Sequence, residues 1–392
     1  MTTQAVILCG GLGKRLRPIT KSIPKPLAVV SGRPFIFHLL EQLKIQGIKK
    51  VVLLTGYLGD MIQKEVGDGK SIGLNIVYSH GPTKWDTGRR LWEAKDLFNN
   101  EFLLLYSDNF SLFNLKKLKR FHKLKKLNLT LSVVSKIPGN ISLTNKNIVS
   151  QYNNKRSTKL KYVEIGYMIV NKNLVFKEFK NPNCNFSSIL KKMSSKKKVA
   201  AVKLEDNYYS ISDIKRLSII NKFLKPKKIL LIDRDGVINL KATTGRYINK
   251  WSEFHFISRT LKSMKKLSSQ GFSFIVITNQ AGIGRGITKL KNLNEIHNKM
   301  IRKLSAHGIK ILKVYFCPHD WKKECECRKP KPGMLFKASK EFFFRLDKTF
   351  FIGDDPRDIE AAERAGSNGI LWKNDKNYPD IDEIINQSFV NL

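Results

Sequence analysis

Acidic residues are in short supply in this chain: Asp and Glu number 32 against 72 Lys and Arg over 392 residues, a formal charge of +40. That imbalance predicts attraction for polyanionic ligands, phosphate esters above all. Cysteine is scarcer still. There are five, and three of them, Cys317, Cys325 and Cys327, crowd into one short stretch. A disulfide-stapled fold disperses its cysteines through a small chain, so that class is excluded. Cys9 and Cys184 are expected to be small buried residues. Long apolar runs are lacking: nothing approaches the ~20 residues of a membrane-spanning helix. The first residues show no basic segment followed by an apolar core and a cleavage site, which predicts a cytoplasmic protein with reduced thiols. No internal repeat and no acidic or Ser/Pro-rich tail stand out. Aromatic residues rarely interleave with the lysines. Leu115, Leu118, Phe121 and Leu124 recur at helical spacing among Lys116, Lys117, Lys119 and Lys123, which reads as an amphipathic helix with a solvated basic face rather than a base-stacking platform.

At 42% hydrophobic residues and 392 positions, the chain suits two domains. Asn221–Lys227 is a short basic linker containing a proline, which sets domains at 1–224 and 225–392. Both halves alternate apolar strands with helical stretches, an α/β pattern. In the second half the run Ile229–Ile232 reads as a buried parallel strand and stops at Asp233 and Asp235, followed by Gly236. A bare Asp-x-Asp is usually a solvated turn. Here it has company at strand ends. Phe272–Ile277 leads into Thr278, Asn279 and Gln280. Arg328-Lys329 supplies fixed cations, and Thr349–Gly353 ends in Asp354 and Asp355, with Asp358 one turn on. Ligands bind beyond the carboxyl ends of parallel strands, and phosphoryl transfer needs an attacking oxygen, charge neutralisation and a general acid.

On these motifs, residues 228–373 resemble a phosphatase of the haloacid dehalogenase superfamily. The resemblance implies that Asp233 attacks phosphorus and that Asp235 serves as acid, then base. It puts Thr278 and Lys329 on the phosphoryl oxygens, and magnesium between Asp233, the Asp235 carbonyl and Asp354. The stretch Cys317-Pro-His319 through Cys325-Glu-Cys327 has the ligand types of a closed tetrahedral zinc site, structural because all four positions are filled by protein. With Cys-Arg-Lys-Pro-Lys-Pro-Gly-Met334, it resembles the D-glycero-D-manno-heptose 1,7-bisphosphate 7-phosphatases. Histidinol-phosphate phosphatases share most of the pattern, and polynucleotide 3′-end phosphatases share part of it. The heptose resemblance would put Asn279, Gln280, Arg328 and Tyr247 against the substrate. The short interval from Asn239 to the second strand implies a minimal cap.

In the first half, Ala5–Leu8 runs into Gly10, Gly11, Gly13, Lys14, Arg15 and then Pro24-Lys25-Pro26. Glycine-rich turns after a strand let backbone N–H groups reach phosphates. Together with Asp86-Thr87-Gly88, Asp108 and Glu164, this resembles the sugar-1-phosphate nucleotidylyltransferases over about residues 4–220. The resemblance implies a mixed sheet, Gly11, Gly13 and Arg15 on the triphosphate, Lys25 on a phosphate, Asp108 on magnesium and Glu164 on sugar hydroxyls. Ser210 stands where that family has its second metal-binding Asp, and Asp213 or Asp206 are the candidates to compensate. The overall expectation is two Rossmann-like domains that take sugar phosphates and a nucleoside triphosphate, GTP by resemblance, with Mg2+ and structural Zn2+. No nucleic-acid or membrane partner is expected, and the oligomeric state is left open. The competing expectation is a histidinol-phosphate-type or polynucleotide 3′-end phosphatase carrying a lapsed nucleotide-binding half.

Overall fold

The computed structural model describes residues 3–204, 208–243 and 245–389; Asp206 lies outside them. Two compact units emerge, Met1–Lys222 and Phe223–Leu392. Among the described residues no helix is long and apolar enough to cross a membrane.

Unit 1 is built on β1 (Gln4–Leu8), β2 (Lys50–Thr55), β3 (Asn75–His80), β4 (Glu101–Tyr106), β5 (Asn109–Ser111), β6 (Leu129–Ser135), β7 (Gly139–Leu143), β8 (Val149–Ser157), β9 (Tyr162–Asn171), β10 (Val199–Leu204) and β11 (Tyr208–Ser210). Its main sheet runs β8-β7-β9-β4-β1-β2-β3, with β6 on β9 and β10 on β6. β1 pairs parallel with β2 and β4, whereas β9 pairs antiparallel with β4, so the sheet is mixed. Val6, Val52 and Leu104 are fully buried in the core beneath it. β5 and β11 form a separate antiparallel ladder that sets Ser210 opposite Asn109. Helices α1 (Phe35–Ile45), α2 (Leu115–Lys125), α3 (Phe186–Ser195) and α4 (Ile214–Leu224) are among those flanking these strands.

The apolar row of α2 departs from the expected one. Leu115, Leu118 and His122 are buried, but Leu124 is 72% exposed. At about 100° per residue, nine positions turn Leu124 to the face opposite Leu115.

Unit 2 carries a five-stranded, wholly parallel sheet in the order β14-β13-β12-β15-β16. These are β12 (Ile229–Ile232), β13 (Ser273–Asn279), β14 (Ile311–Cys317), β15 (Phe350–Gly353) and β16 (Asn368–Leu371). β12 is central and buried throughout, as its unbroken apolar run requires. Helices α5 (Ser258–Ser269), α6 (Leu290–Ala306), α7 (Gly333–Phe342) and α8 (Pro356–Ala365) are among those accompanying it. Among the described residues between Asn239 and α5 lie loop, one short turn, Trp251–Glu253, and a single bridge from Phe256 back to Asn239, so the cap is minimal.

Candidate active sites

The tips of β12, β13 and β15 share one end of the unit 2 sheet. Asp233 follows β12, and its N–H donates to Ile352 O on β15 at 2.8 Å. Lys329 Nζ sits 2.9 Å from Asp233 Oδ1 and 2.6 Å from Asp358 Oδ1, and donates to Ile277 O at 3.0 Å. Burial pulls the Lys329 ammonium down, but the Asp233 and Asp358 carboxylates outweigh it and hold it above the usual lysine range. Burial pushes Asp233 up to about 6, against the pull of Lys329.

Local sequence fixes Asp358. Asp355 caps α8, Pro356 takes its first turn and Asp358 closes a capping box, its Oδ2 accepting from Asp355 N at 3.2 Å. That leaves Oδ1 for the ion pair with Lys329. Asp354 pairs through Oδ2 with Lys241, and its buried Oδ1 is unpartnered. Oxygens of Asp233, Asp354 and Asp358 lie within 4.8 Å of one another. Gly236, at φ +95°, makes room for this: a Cβ there would collide with Asp354 Oδ2. One orphaned buried carboxylate oxygen, Asp354 Oδ1, beside the carboxylates of Asp233 and Asp358 suits a hard divalent cation.

Asp235 is oriented away from that group. Arg234 donates to it from Nε at 3.1 Å and from NH2 at 2.8 and 2.9 Å, Asn239 Nδ2 at 3.0 Å and Gln280 Nε2 at 2.8 Å. Burial alone would raise Asp235, but these donors win and hold it below the usual carboxylate range, in its base form. Arg234 in turn is braced by His297 Nε2 at 3.0 Å; burial and the guanidinium push that imidazole down to about 3, so it stays neutral. Gln280 also donates to Thr278 Oγ1 at 2.9 Å.

Asp233, Asp235, Thr278, Asn279, Gln280, Tyr247, Lys329 and Asp358 line one cavity of about 620 Å³. Two expected substrate contacts are redirected. Arg328 is not among the lining residues; it donates back to His319 O at 3.3 Å. Asn279 borders the cavity, but its amide is consumed by the Lys329 main chain, accepting from Lys329 N at 3.1 Å and donating to Lys329 O at 3.2 Å. The charge facing the cavity comes instead from Lys241, Arg246, Arg285 and Arg357, none of which was a candidate site residue. Arg285 stacks 4.5 Å from the Trp321 ring and donates to Tyr247 OH at 3.1 Å.

Cys317, His319, Cys325 and Cys327 form a second cluster within 4.8 Å. Its Sγ···Sγ spacings of 3.3 and 3.7 Å and Sγ···Nδ1 spacings of 3.2 and 3.6 Å approach the ~3.8 Å edge of a tetrahedron with ~2.3 Å metal–sulfur bonds. Burial pushes Cys317 up to about 12, so without a cation that thiol keeps its proton.

In unit 1, a cavity of about 510 Å³ is lined by Gly10, Gly11, Gly13, Lys14, Arg15, Lys25, Asp86, Asp108 and Ser212 among others. Gly13 sits at φ +62°, and a Cβ at Gly10 would strike the Arg90 guanidinium. Asp108, expected to hold magnesium, is 2.5 Å from Lys25 Nζ. Glu164 is not among the lining residues. Burial pushes it up to about 8, against a bond from Gly166 N.

Known proteins bear on both units. Residues 4–210 match the family model described as nucleotidyl transferase, and residues 228–384 the one described as polynucleotide kinase 3 phosphatase. A D-glycero-alpha-D-manno-heptose-1,7-bisphosphate 7-phosphatase of Photorhabdus laumondii is 36% identical over 146 residues, covering 36% of this chain and 78% of the relative. A beta-anomer counterpart from Pseudomonas putida is 36% identical over 149 residues, 38% of this chain and 84% of the relative. Among solved structures, HddC from Yersinia pseudotuberculosis superposes with a TM-score of 0.50 at 21% identity, over 57% of this chain and all of that one. This last likeness concerns the fold of unit 1.

Proposed function

Because the chain belongs to the nucleotidyl transferase family through residues 4–210 and to the heptose-1,7-bisphosphate 7-phosphatases through its C-terminal half, we propose that it is a bifunctional enzyme of nucleotide-activated heptose synthesis. The C-terminal half removes the 7-phosphate of a heptose 1,7-bisphosphate; the N-terminal half couples the resulting 1-phosphate to a nucleotide. Relatives named for the alpha and the beta anomer match at equal identity, so the anomer is left open.

In this reading an Asp233 oxygen attacks the 7-phosphorus, the P–O7 bond breaks and O7 takes a proton from Asp235. Asp235 is ionised in the free protein; the arriving phosphoryl dianion raises its pKa by like-charge repulsion and lets it carry that proton. Water then attacks the aspartyl phosphate, giving its proton to Asp235 and releasing phosphate. Lys329 holds Asp233 ionised and Gln280 aligns Thr278 with Asp235. Magnesium, held by Asp233, Asp354 and the Asp235 carbonyl beside Asp358, would neutralise charge on the phosphoryl oxygens. Zinc is the ion we assign to Cys317, His319, Cys325 and Cys327, where it would stiffen the loop leading to Lys329. In the N-terminal half the sugar 1-phosphate oxygen attacks the α-phosphorus of the triphosphate and pyrophosphate leaves, with Arg15 and Lys25 facing the phosphates. GTP is the triphosphate proposed first, and the cytoplasm the compartment.

The observation that carries the proposal is the meeting of Asp233, Lys329 and Asp358 at one cavity wall, with the unpartnered Asp354 Oδ1 within 4.8 Å of the two carboxylates. The test is a substrate panel with phosphate and pyrophosphate read separately: heptose 1,7-bisphosphate, histidinol phosphate and a 3′-phosphorylated oligonucleotide, then heptose 1-phosphate with each of four triphosphates. Phosphate should come fastest from the heptose bisphosphate, and D233N should abolish it while sparing pyrophosphate release. Fastest release from the oligonucleotide would overturn the substrate assignment.

A further inference from the structure

The metal expected at Asp108 does not suit the groups around it. Asp108 follows β4, and its carboxylate is already 2.5 Å from the Lys25 ammonium. Ile211 N donates to Asp108 O at 2.9 Å, which brings the residues after β11 alongside. Beside two hydroxyls they offer one carboxylate, Asp213, which Arg216 occupies. Ser210 and Ser212, each 4% exposed, stand 3.2 Å apart, and Arg216 NH1 donates to both at 3.4 and 3.1 Å. Asp213 steers that guanidinium: its Oδ2 lies 3.4 Å from Arg216 Nε, and its Oδ1 accepts from Arg216 N at 2.9 Å. Of the groups lining the cavity, Lys14, Arg15, Lys25 and Arg90 are cations, the last of them spent on backbone carbonyls. Asp86, the other lining carboxylate, accepts from Asn185, and Glu164, at about 8, is protonated at neutral pH. Among the described residues, neither group of three or more potential metal ligands lies in unit 1.

A hard divalent cation favours several anionic oxygens; here it would meet two carboxylates already paired with cations, Asp108 with Lys25 and Asp213 with Arg216, and two hydroxyls held by the same guanidinium. An arginine fork suits phosphate oxygens and carries charge at every relevant pH. We infer that this pocket binds a nucleoside polyphosphate through direct contacts from the lining cations Lys14, Arg15 and Lys25, with Arg216, which is not itself a lining residue but holds the lining Ser212 at 3.1 Å, adding charge behind that wall in place of a protein-held divalent ion. The inference rests on reading the pocket as the nucleotide site.

The test is equilibrium binding of GTP, with ATP, CTP and UTP in parallel, to the full chain in EDTA and in excess magnesium chloride. The expected dissociation constant in EDTA lies within about threefold of that in magnesium. R216M should weaken binding in EDTA by roughly tenfold or more, the scale of one lost charge-assisted hydrogen bond, with R216K in between. S210D, which sets a carboxylate against the guanidinium, should weaken binding in EDTA and make it magnesium-dependent. Wild-type binding that demands magnesium, or R216M binding unchanged while its melting curve matches wild type, would overturn the Arg216 assignment. Absence of nucleotide binding in both buffers would instead overturn the reading of the pocket itself.

Discussion

Replacing Lys329 by methionine isolates the electrostatics of the phosphatase half. The ammonium is 3% exposed and stands 2.9 and 2.6 Å from two carboxylates. With an effective dielectric of about 20, each attraction is roughly 6 kcal/mol, and the two carboxylate oxygens, within 4.8 Å of each other, repel by roughly 3.5 kcal/mol or more. Desolvation cancels much of this, and removing one partner of a buried pair costs about 3–5 kcal/mol in practice. At about 2–4 °C per kcal/mol for a unit of this size, K329M in EDTA at pH 7.5 should melt roughly 6–20 °C lower. The loss should be smaller at pH 5. Asp233 already has a folded pKa near 6, above its ordinary value, so protons bind the native state more tightly between those values and stability falls as pH rises through that window. Without Lys329 the pKa rises further, and the penalty grows toward neutral pH. Adding D358N should return part of the stability by removing the second carboxylate. Calorimetry on the three proteins at two pH values decides it. An unchanged melting temperature for K329M, or no recovery in the double variant, would refute the account of Lys329 as the cation that lets two buried acids coexist.

Three other outcomes are expected. The kcat/KM for phosphate release should fall as pH drops through about 6, because Asp233 must be ionised to attack; a profile flat from pH 5 to 8 counts against Asp233. C325S should lower bound zinc, measured by elemental analysis, from about one ion per chain to none, and should speed hydrogen exchange across residues 317–327; full metal content in the variant would remove Cys325 from the ligand set. Glu178, pulled down to about 2 by Lys198, Lys196 and Lys192, contributes stability that is present above its ordinary pKa and lost as pH falls through about 2. E178Q should therefore cost roughly 1–3 kcal/mol in urea unfolding at pH 7 and little near pH 2; an equal cost at both would show that the lysine contacts are not its source.

The sheet and strand ends were legible because an apolar run ending in acids has few other uses. Asp233 ends such a run, whereas the places given to Thr278 and Lys329 came from the family resemblance of their motifs. Other parts depended on side-chain direction, which spacing does not carry. Asp358 belongs to the charge cluster because a helix cap aims it, and Asp355-Pro356-x-Asp358 was the signal available for it. Arg328 and Asn279 occupy motif positions but turn toward backbone. Lys241, Arg246 and Arg285 lie on loops whose course no periodicity encodes, and Arg357 sits in the first turn of α8. Ser210 was visible as a departure, yet the guanidinium that answers it lies six residues on and became apparent only when the chain turned into α4.

The Asn279 amide has a consequence for exchanging parts between related proteins. It joins the end of β13 to the peptide group of Lys329, just past the cysteine cluster, so two segments about fifty residues apart share custody of one ammonium. A metal loop transplanted from a homologue would deliver its lysine correctly only if the recipient strand ended in a side chain able to grip both the N–H and the C=O of that lysine. Strand tip and loop are therefore a single heritable part, and a chimera that separates them should lose turnover while keeping its metal.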